Sequence, residues 1–558
     1  MAGFVGFTED VRGDAELFEP TLITSWSQYL ENFAKVGSDG FVKFLGRDRK
    51  PCWAYLPFAV KGWFENGGGR CWVVSIGTKL PIRDDAPPLA DENAVAALTP
   101  VRTTGKKPSL TFQLKPEKEE EGRVRVFIEP DEPRPPEDSE EEAFNTGEYF
   151  KLTVRRGEEV LEGPFENLTM QHPETASEEE LAAGSYVMEV LENSEYLDVF
   201  LGQDEQSQEI DPRSALPLAI RPSNGAYEVR PRDVRYRTKR WYRETYGSES
   251  RKTGVQGLFQ IDEVAMVACP DLMLAYQQEL ISLQQLHGVM EMMITSCENA
   301  APGPAYRMAV IDPPPVKPRR SDFPVLPEQQ KPQDVEGWLM DSFGRRSQFA
   351  ALYYPWIQVP NPGDAGKPMS VPPCGHMMGL WCRTDETRGI HKAPANEIPR
   401  GVISLSYNVN FREQELLNPV GINCIRKFRN RGTLVWGART LAQKDDTDWR
   451  YVSVRRIMSY IEKSIEEGTQ WAVFEPNDED LWARVTRTVK NFLERVWRQG
   501  ALFGSFPEEA FYVKCDRELN TPETMKLGQL FIEVGVSPVR PAEFVVFRIS
   551  QWDPSQDQ

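Results

Sequence analysis

Histidine is scarce in this chain: four in 558 residues, His172, His287, His376 and His391. So few imidazoles leave few general bases, and a serine hydrolase needs a nucleophile held against a histidine that a carboxylate orients. Neither a Gly-x-Ser-x-Gly elbow nor a Gly-Thr-Ser run is present. No stretch approaches the roughly 18 apolar residues of a membrane span, and no basic and apolar leader follows Met1. Direct membrane insertion is therefore not expected, and the chain is expected to stay in the cytoplasm where it is made. Positive charge is in deficit, 65 Lys and Arg against 84 Asp and Glu, which gives a net charge of -19. That balance argues against a general nucleic-acid binder, because phosphate contacts call for a basic face. Eight cysteines, at positions 52, 71, 269, 297, 374, 382, 424 and 515, show no framework spacing and no CxxC pair. Reduced, mostly buried thiols are expected.

What remains is an ordinary globular composition, 40% apolar and 27% charged, with length for about three or four domains. Residues 4–8 read as a strand and 25–33 as a helix capped by Ser25 or Ser27. Asn66-Gly67-Gly68-Gly69-Arg70 runs into a strand at 71–74. A phosphate loop would lead into a helix and carry Gly-Lys-Ser/Thr, so this is read as a turn. From about 81 to 250 the composition shifts: acidic runs at 117–121 and 137–142 separate alternating segments at 110–114, 124–128, 150–154 and 186–190. Period-two alternation predicts a β-rich inserted domain over 81–255, and the acidic runs read as solvated loops rather than calcium sites. At 235–243, arginines interleave with Tyr236, Trp241 and Tyr242. In an acidic chain this segment reads as a contact within the protein or to a neighbouring subunit rather than a nucleobase platform.

Strand 264–268, a long helix over 271–298 and strand 307–312 imply parallel pairing with a right-handed crossover, and 349–354 continues the sheet. This α/β core is expected over 256–400, with 1–80 as its N-terminal part. Residues 401–558 read as an α+β unit: helix 449–467, strand 470–474, helix 478–499, then strands at 510–514, 528–534 and 544–549. On the second helix Val485, Val489, Phe492 and Val496 share one side, while Arg484, Arg487, Arg495 and Arg498 form a stripe far round from it. That stripe is a basic ridge, either a solvated face or a contact surface. Cys374, His376, Cys382 and His391 lie near one another in sequence but match no common zinc spacing. No metal, cofactor or catalytic site is expected.

The stretch 389–440 is turn-rich and holds three short runs: Gly389-Ile390-His391-Lys392-Ala393-Pro394-Ala395-Asn396-Glu397, Leu417-Asn418-Pro419-Val420-Gly421-Ile422-Asn423 and Val435-Trp436-Gly437-Ala438-Arg439-Thr440. Small residues, Pro and Asn beside Trp436, Arg426 and Arg439 suggest tight turns that set a few large side chains. With Tyr354-Pro355-Trp356 before them, and Arg450-Tyr451-Val452-Ser453-Val454-Arg455-Arg456, Phe474-Glu475-Pro476-Asn477 and Pro541-Ala542-Glu543-Phe544 after them, these runs resemble the contractile tail sheath protein family. That family includes the sheaths of contractile phage tails and of phage-tail-like injection systems. The matches keep one order from about Phe4 to Trp552.

The resemblance implies a three-layer, subtilisin-like α/β core, an inserted domain carried on the outside of the tail, and a terminal α+β domain that joins subunits and touches the inner tube. It implies a non-enzymatic structural subunit that polymerises in six-fold rings, stacks helically around an inner tube between baseplate and cap proteins, and contracts to drive the tube through a target envelope. Under that reading Arg484, Arg487, Arg495 and Arg498 face the tube. Phe544, Val545, Val546, Phe547, Arg548 and Ile549 form a linker strand that pairs with the next subunit. Family members begin with an extended arm ahead of the first strand. Here the first strand comes almost at once, so either the arm is absent or the sequence begins late. A specialised isoform near the baseplate or cap is the alternative, and an α/β hydrolase the remaining one.

Overall fold

A computed structural model describes residues 1–47, 49–83, 99–102, 108–115, 124–131, 149–157, 159–173, 183–201, 221–229, 237–299, 305–318 and 321–543. The chain divides into two compact units, one of 1–83 with 237–558 and one of 84–236. Of the 84 acidic residues 35 lie in 84–236, against 16 of the 65 basic ones, so that unit carries the whole excess of -19. The larger unit is balanced, 49 against 49.

The larger unit is built on an eight-stranded sheet: β1 (Ala2–Gly6), β2 (Pro20–Ile23), β3 (Cys71–Ser75), β4 (Met266–Ala268), β5 (Met308–Ile311), β6 (Ala350–Tyr354), β7 (Ile422–Phe428) and β8 (Gly432–Trp436). Their spatial order is β2-β3-β1-β4-β5-β6-β7-β8. The six inner strands are parallel, and an antiparallel strand closes each edge. Strands β1, β4, β5 and β6 are buried at every residue, as expected of parallel strands covered on both faces. Helix α1 (Leu56–Glu65) packs on β1 and α2 (Leu283–Glu298) on β5. Helix α3 (Cys374–Arg388) lies against both α1 and the sheet. The expected division at 400/401 falls inside this sheet, because β7 and β8 complete it.

Glycines set how closely α1 and α3 approach. A Cβ at Gly375 would meet the Ala59 backbone, and one at Gly379 the Trp63 carbonyl. At Gly62 it would land inside the His376 ring. Gly62→Ala is expected to cost about 1–3 kcal/mol through overpacking, read as a lower urea midpoint with an unchanged slope.

The terminal part holds α4 (Val452–Thr469), α5 (Glu479–Arg498) and a hairpin of Phe511–Lys514 with Glu533–Val536. Ile457 and Ile461 of α4 meet Leu481, Trp482, Val485, Val489, Leu493 and Val496 of α5 in one core. The 84–236 unit stacks a five-stranded and a three-stranded sheet around a core of Leu110, Phe112, Val126, Leu152, Val154 and their neighbours. No described helix is long and apolar enough to cross a membrane.

Several expected elements differ. The long helix breaks at Glu279, whose φ is 53°, and α2 restarts from Ser282 in a capping box with Gln285. Residues 470–474 form no strand. Gln470–Ala472 is a 3-10 turn linking α4 to α5, and Trp471, Val473 and Phe474 stand exposed. The strand at 186–190 is Ser185–Tyr186 followed by a helix Val187–Leu191, since Val187 and Leu191 point into one core at helical spacing. The expected strand at 528–534 lies later, at Glu533–Val536, after a turn through Gly528 at φ 71°. The inserted unit ends at 236 rather than 255, because Thr238–Tyr246 is a helix of the larger unit. Its Trp241 stacks on Phe7 at 5.6 Å and donates to the Ile76 carbonyl at 2.8 Å, so the aromatic of that segment is a core anchor. The acidic runs at 117–121 and 137–142, with Arg235 and Tyr236, lie outside the described residues.

Candidate functional site

In open α/β sheets ligands bind beyond the carboxyl ends of the strands, at the point where strand order reverses. Here that point lies between β1 and β4, and it is filled. Asp271, fully buried, accepts from the backbone N–H groups of Phe7 at 2.7 Å, Tyr55 at 2.5 Å and Leu56 at 3.1 Å. It thereby seals β1 to the start of α1. Past β5, buried Asp312 accepts from the N–H of Cys374 at 3.1 Å and holds the start of α3. Burial pushes both carboxyls up to about 7 against these hydrogen bonds. Both groups are occupied by backbone, with no opening to solvent.

The four histidines have structural settings. His287 accepts a hydrogen bond from Trp338 Nε1 at 2.8 Å, and burial pushes it down to about 4. His376 is buried between α1 and α3 and is lowered to about 4 for the same reason. His172 lies edge-on to Tyr186, and His391 curls against Gly389. Five of the eight cysteines are buried, and among the described residues no three metal-ligating side chains gather.

The runs 417–423, 435–440, 450–456 and 541–543 meet instead in a polar joint. Asn423, on β7, donates to the carbonyls of Leu352 at 3.1 Å and Arg439 at 2.8 Å, and accepts from the Arg439 N–H at 2.6 Å. Gly437 must be glycine for this approach, since a Cβ there would meet Asn423 at 2.9 Å. So fixed, Arg439 points at Glu543. Its Nε lies 3.0 and 3.1 Å from the two carboxylate oxygens, and its Nη2 lies 2.5 Å from Oε2. Asn418 Nδ2 donates to the same carboxylate at 2.7 Å, the Tyr451 hydroxyl donates to it at 3.0 Å, and Arg439 Nη1 donates to the Asn418 carbonyl at 3.0 Å. The Arg439 side chain is 10% exposed and that of Glu543 19%. Burial alone would raise this carboxyl, but the bonds from Arg439, Asn418 and Tyr451 outweigh it and hold Glu543 below the usual glutamate range.

Two neighbouring arginines bolt α4 to the sheet. Arg456 pairs with Asp385 of α3 and lies over the Trp381 ring at 5.1 Å. Arg455 bonds Glu462 at 3.0 Å and Gln348 at 3.2 Å, and sits over Phe349 and Trp449. The residue before the last fifteen is thus fastened to the same framework as the terminal helices.

Arg484, Arg487, Arg495 and Arg498 are all exposed on α5, while Val485, Val489 and Val496 are buried and Phe492 is half-buried. Arg484 pairs with Glu475 at 2.8 Å and Arg498 with Glu494 at 2.6 Å. Arg495 and Arg498 sit in the last turn, where cations complement the helix dipole. Phe544, Val545, Val546, Phe547, Arg548 and Ile549 lie outside the described residues. Sequence reasoning missed the roles of Glu543, Arg439 and Asp271. Glu543 and Arg439 are 104 residues apart, and no spacing joins them.

Among the described residues, the distinctive side chains are thus spent on internal joints: Asp271 between β1 and α1, Arg455 and Arg456 beneath α4, and Arg439 on Glu543. Profiles of the phage tail sheath protein central domain and C-terminal domain match residues 342–441 and 444–551. This chain belongs to the contractile tail sheath protein family. It is 28% identical over 189 residues to a putative prophage major tail sheath protein of Pseudomonas aeruginosa strain UCBPP-PA14, a match covering 33% of this chain and 46% of that protein. The chain thus spans about half the length of such curated relatives. At the level of fold it is similar to chains in cryo-EM structures of the anti-feeding prophage, both at 22% identity. The contracted helical sheath gives a TM-score of 0.51 over 99% of this chain and 92% of that one. The six-fold symmetrised baseplate gives 0.52 over 99% and 93%.

Proposed function

We propose that the chain is the structural subunit of a contractile sheath, in which copies join head to tail as six-fold rings stacked helically around an inner tube. Contraction to a lower-energy lattice then drives the tube through a target envelope. The observation that carries this reading is the clamp on Glu543 by Arg439, Asn418 and Tyr451, directly ahead of the segment assigned here as the linker strand. A segment launched from a rigid joint can pair with an open sheet edge on the next copy through backbone hydrogen bonds, which survive rigid-body rotation. Head-to-tail contacts of this kind close into rings or run on as helices. Energy stored in assembly needs no cofactor, nucleic acid or catalytic site.

Inner tube, baseplate and cap proteins are the partners in this reading, and synthesis is in the cytoplasm. The six parallel strands with helices packed on them support a subtilisin-like, three-layer description of the core. They support it as an architecture alone, since buried aspartates hold the position that a substrate would take.

The basic ridge is assigned to an acidic surface of the tube. Arg487 and Arg495 make no ion pair among the described residues, so they are open to a partner. Exposed pairs contribute about 0–1 kcal/mol each and are screened by salt, which suits a contact that must release. Charge reversal at Arg484 and Arg487 is expected to abolish assembly on tubes at low salt, and unchanged assembly would remove the assignment. Electron microscopy of the purified chain with its tubes tests the whole reading: repeating tubular lattices support it, and dispersed monomers contradict it.

A further inference from the structure

Phe474 is 103% exposed, and its backbone holds φ at 66°. A bulky residue in the left-handed region is strained, and such strain persists only where the surroundings enforce it. They do so here. Asn477 donates to the Gln529 carbonyl at 2.9 Å and accepts from Trp482 Nε1 at 2.8 Å, while Asp478 caps α5 through the Leu481 N–H at 2.9 Å. Glu475 is held by Arg484. The turn is rigid, and it presents an aromatic ring that touches nothing of its own core. Trp471 and Val473 beside it are 41% and 63% exposed. The bond from Asn477 to Gln529 also draws alongside the loop that carries exposed Leu527 and Phe531. Rigid exposed aromatics are what interface anchors are made of.

The Arg484 guanidinium lies 5.3 Å from the centre of the Trp471 ring, so the apolar knuckle and the basic ridge share one surface. We propose that Phe474, with Trp471 and Val473, is a knob that enters an apolar socket on the inner tube, next to the acidic row met by the ridge. This rests on the reading above that the ridge faces the tube, and it adds a contact that salt does not screen. Ridge contacts fade with ionic strength, whereas apolar burial persists.

The test uses inner tubes stripped from the same particles and co-sedimented with the full chain at low salt and at about 1 M salt, where the screening length is about 3 Å. Wild type should keep part of its binding at high salt. Phe474→Ser should lose that part by at least about tenfold and keep most binding at low salt. Phe474→Gly should lose as much while melting no lower than wild type, because glycine relaxes at a positive φ, which separates lost contact from lost fold. The double variant Arg487→Glu with Arg495→Glu should show the reverse salt pattern. High-salt binding undiminished in both Phe474 variants overturns the knob. Arginine variants that bind like wild type, with the Phe474 variants still weakened, refute the ridge and leave the knob supported. If the Phe474 variants bind tubes normally but fail to polymerise without them, the knob belongs to a second copy of this chain and the tube assignment is wrong.

Discussion

Removing residues 544–558 is expected to abolish polymer growth and to leave the subunit folded. Among the described residues, which run to Glu543, the terminal helices already pack in a core of their own around Ile457, Trp482, Val485 and Val489, and thermal melting of the truncated chain is expected to match that of the intact one. Growth is another matter, because the proposed subunit-to-subunit contact resides in that segment. Head-to-tail assembly is a product of repeated contacts, and weakening each one by several kcal/mol removes long polymers altogether rather than shortening them slightly. Sedimentation and electron microscopy of the truncated chain read the result. Sheath-length filaments from it would count against a linker role for the segment.

Arg439→Ala is expected to have the largest effect among single substitutions in the joint. It leaves Glu543 partly buried with its main cation gone, and removing one partner of such a pair costs about 3–5 kcal/mol. Part of that cost is relieved if the terminal segment detaches, so release of 541–558 to proteolysis should precede global unfolding. The clamp also carries a sign with pH. A carboxyl held below its ordinary value stabilises the fold fully above that ordinary value, near pH 4.5, and the stabilisation is lost as pH falls through the lowered one. The difference in urea midpoint between wild type and Arg439→Ala should therefore be large at pH 7 and shrink as pH falls from the ordinary value of 4.5 through the lowered one. A difference that stays constant with pH would mean that Glu543 is not held by charge.

The sequence was legible where one period dominates. Residues 350–354 are apolar at every position and became the buried strand β6. On α5, Val485, Val489 and Val496 turned inward and the four arginines outward, because a 3.6-residue repeat over twenty residues leaves little choice. It misled where a short apolar run could be either element. Residues 470–474 and 186–190 are both short, mostly apolar runs that read as strands, yet the first forms a 3-10 turn at Gln470–Ala472 and the second buries Val187 and Leu191 at helical spacing. The break before α2 had a visible signal in Ser282 and Gln285, a capping box inside a stretch whose apolar face reads as one helix. The joint had none. Asn423, Arg439 and Glu543 are brought together by the fold, and a resemblance can point to such residues without saying what they touch.

Charge is partitioned along the same lines. The unit proposed to polymerise is neutral overall, and the inserted unit carries the entire negative excess. A neutral body lets copies approach without long-range repulsion, while net charge placed elsewhere keeps the chain dispersed before assembly.

A map of the assembled polymer that traces the chain beyond Glu543 tests the central claim most directly. Residues 544–558 should leave the clamp and lie on a neighbouring copy, in backbone pairing with its sheet. A trace in which the segment folds back onto its own subunit, with no chain crossing between copies, would contradict it.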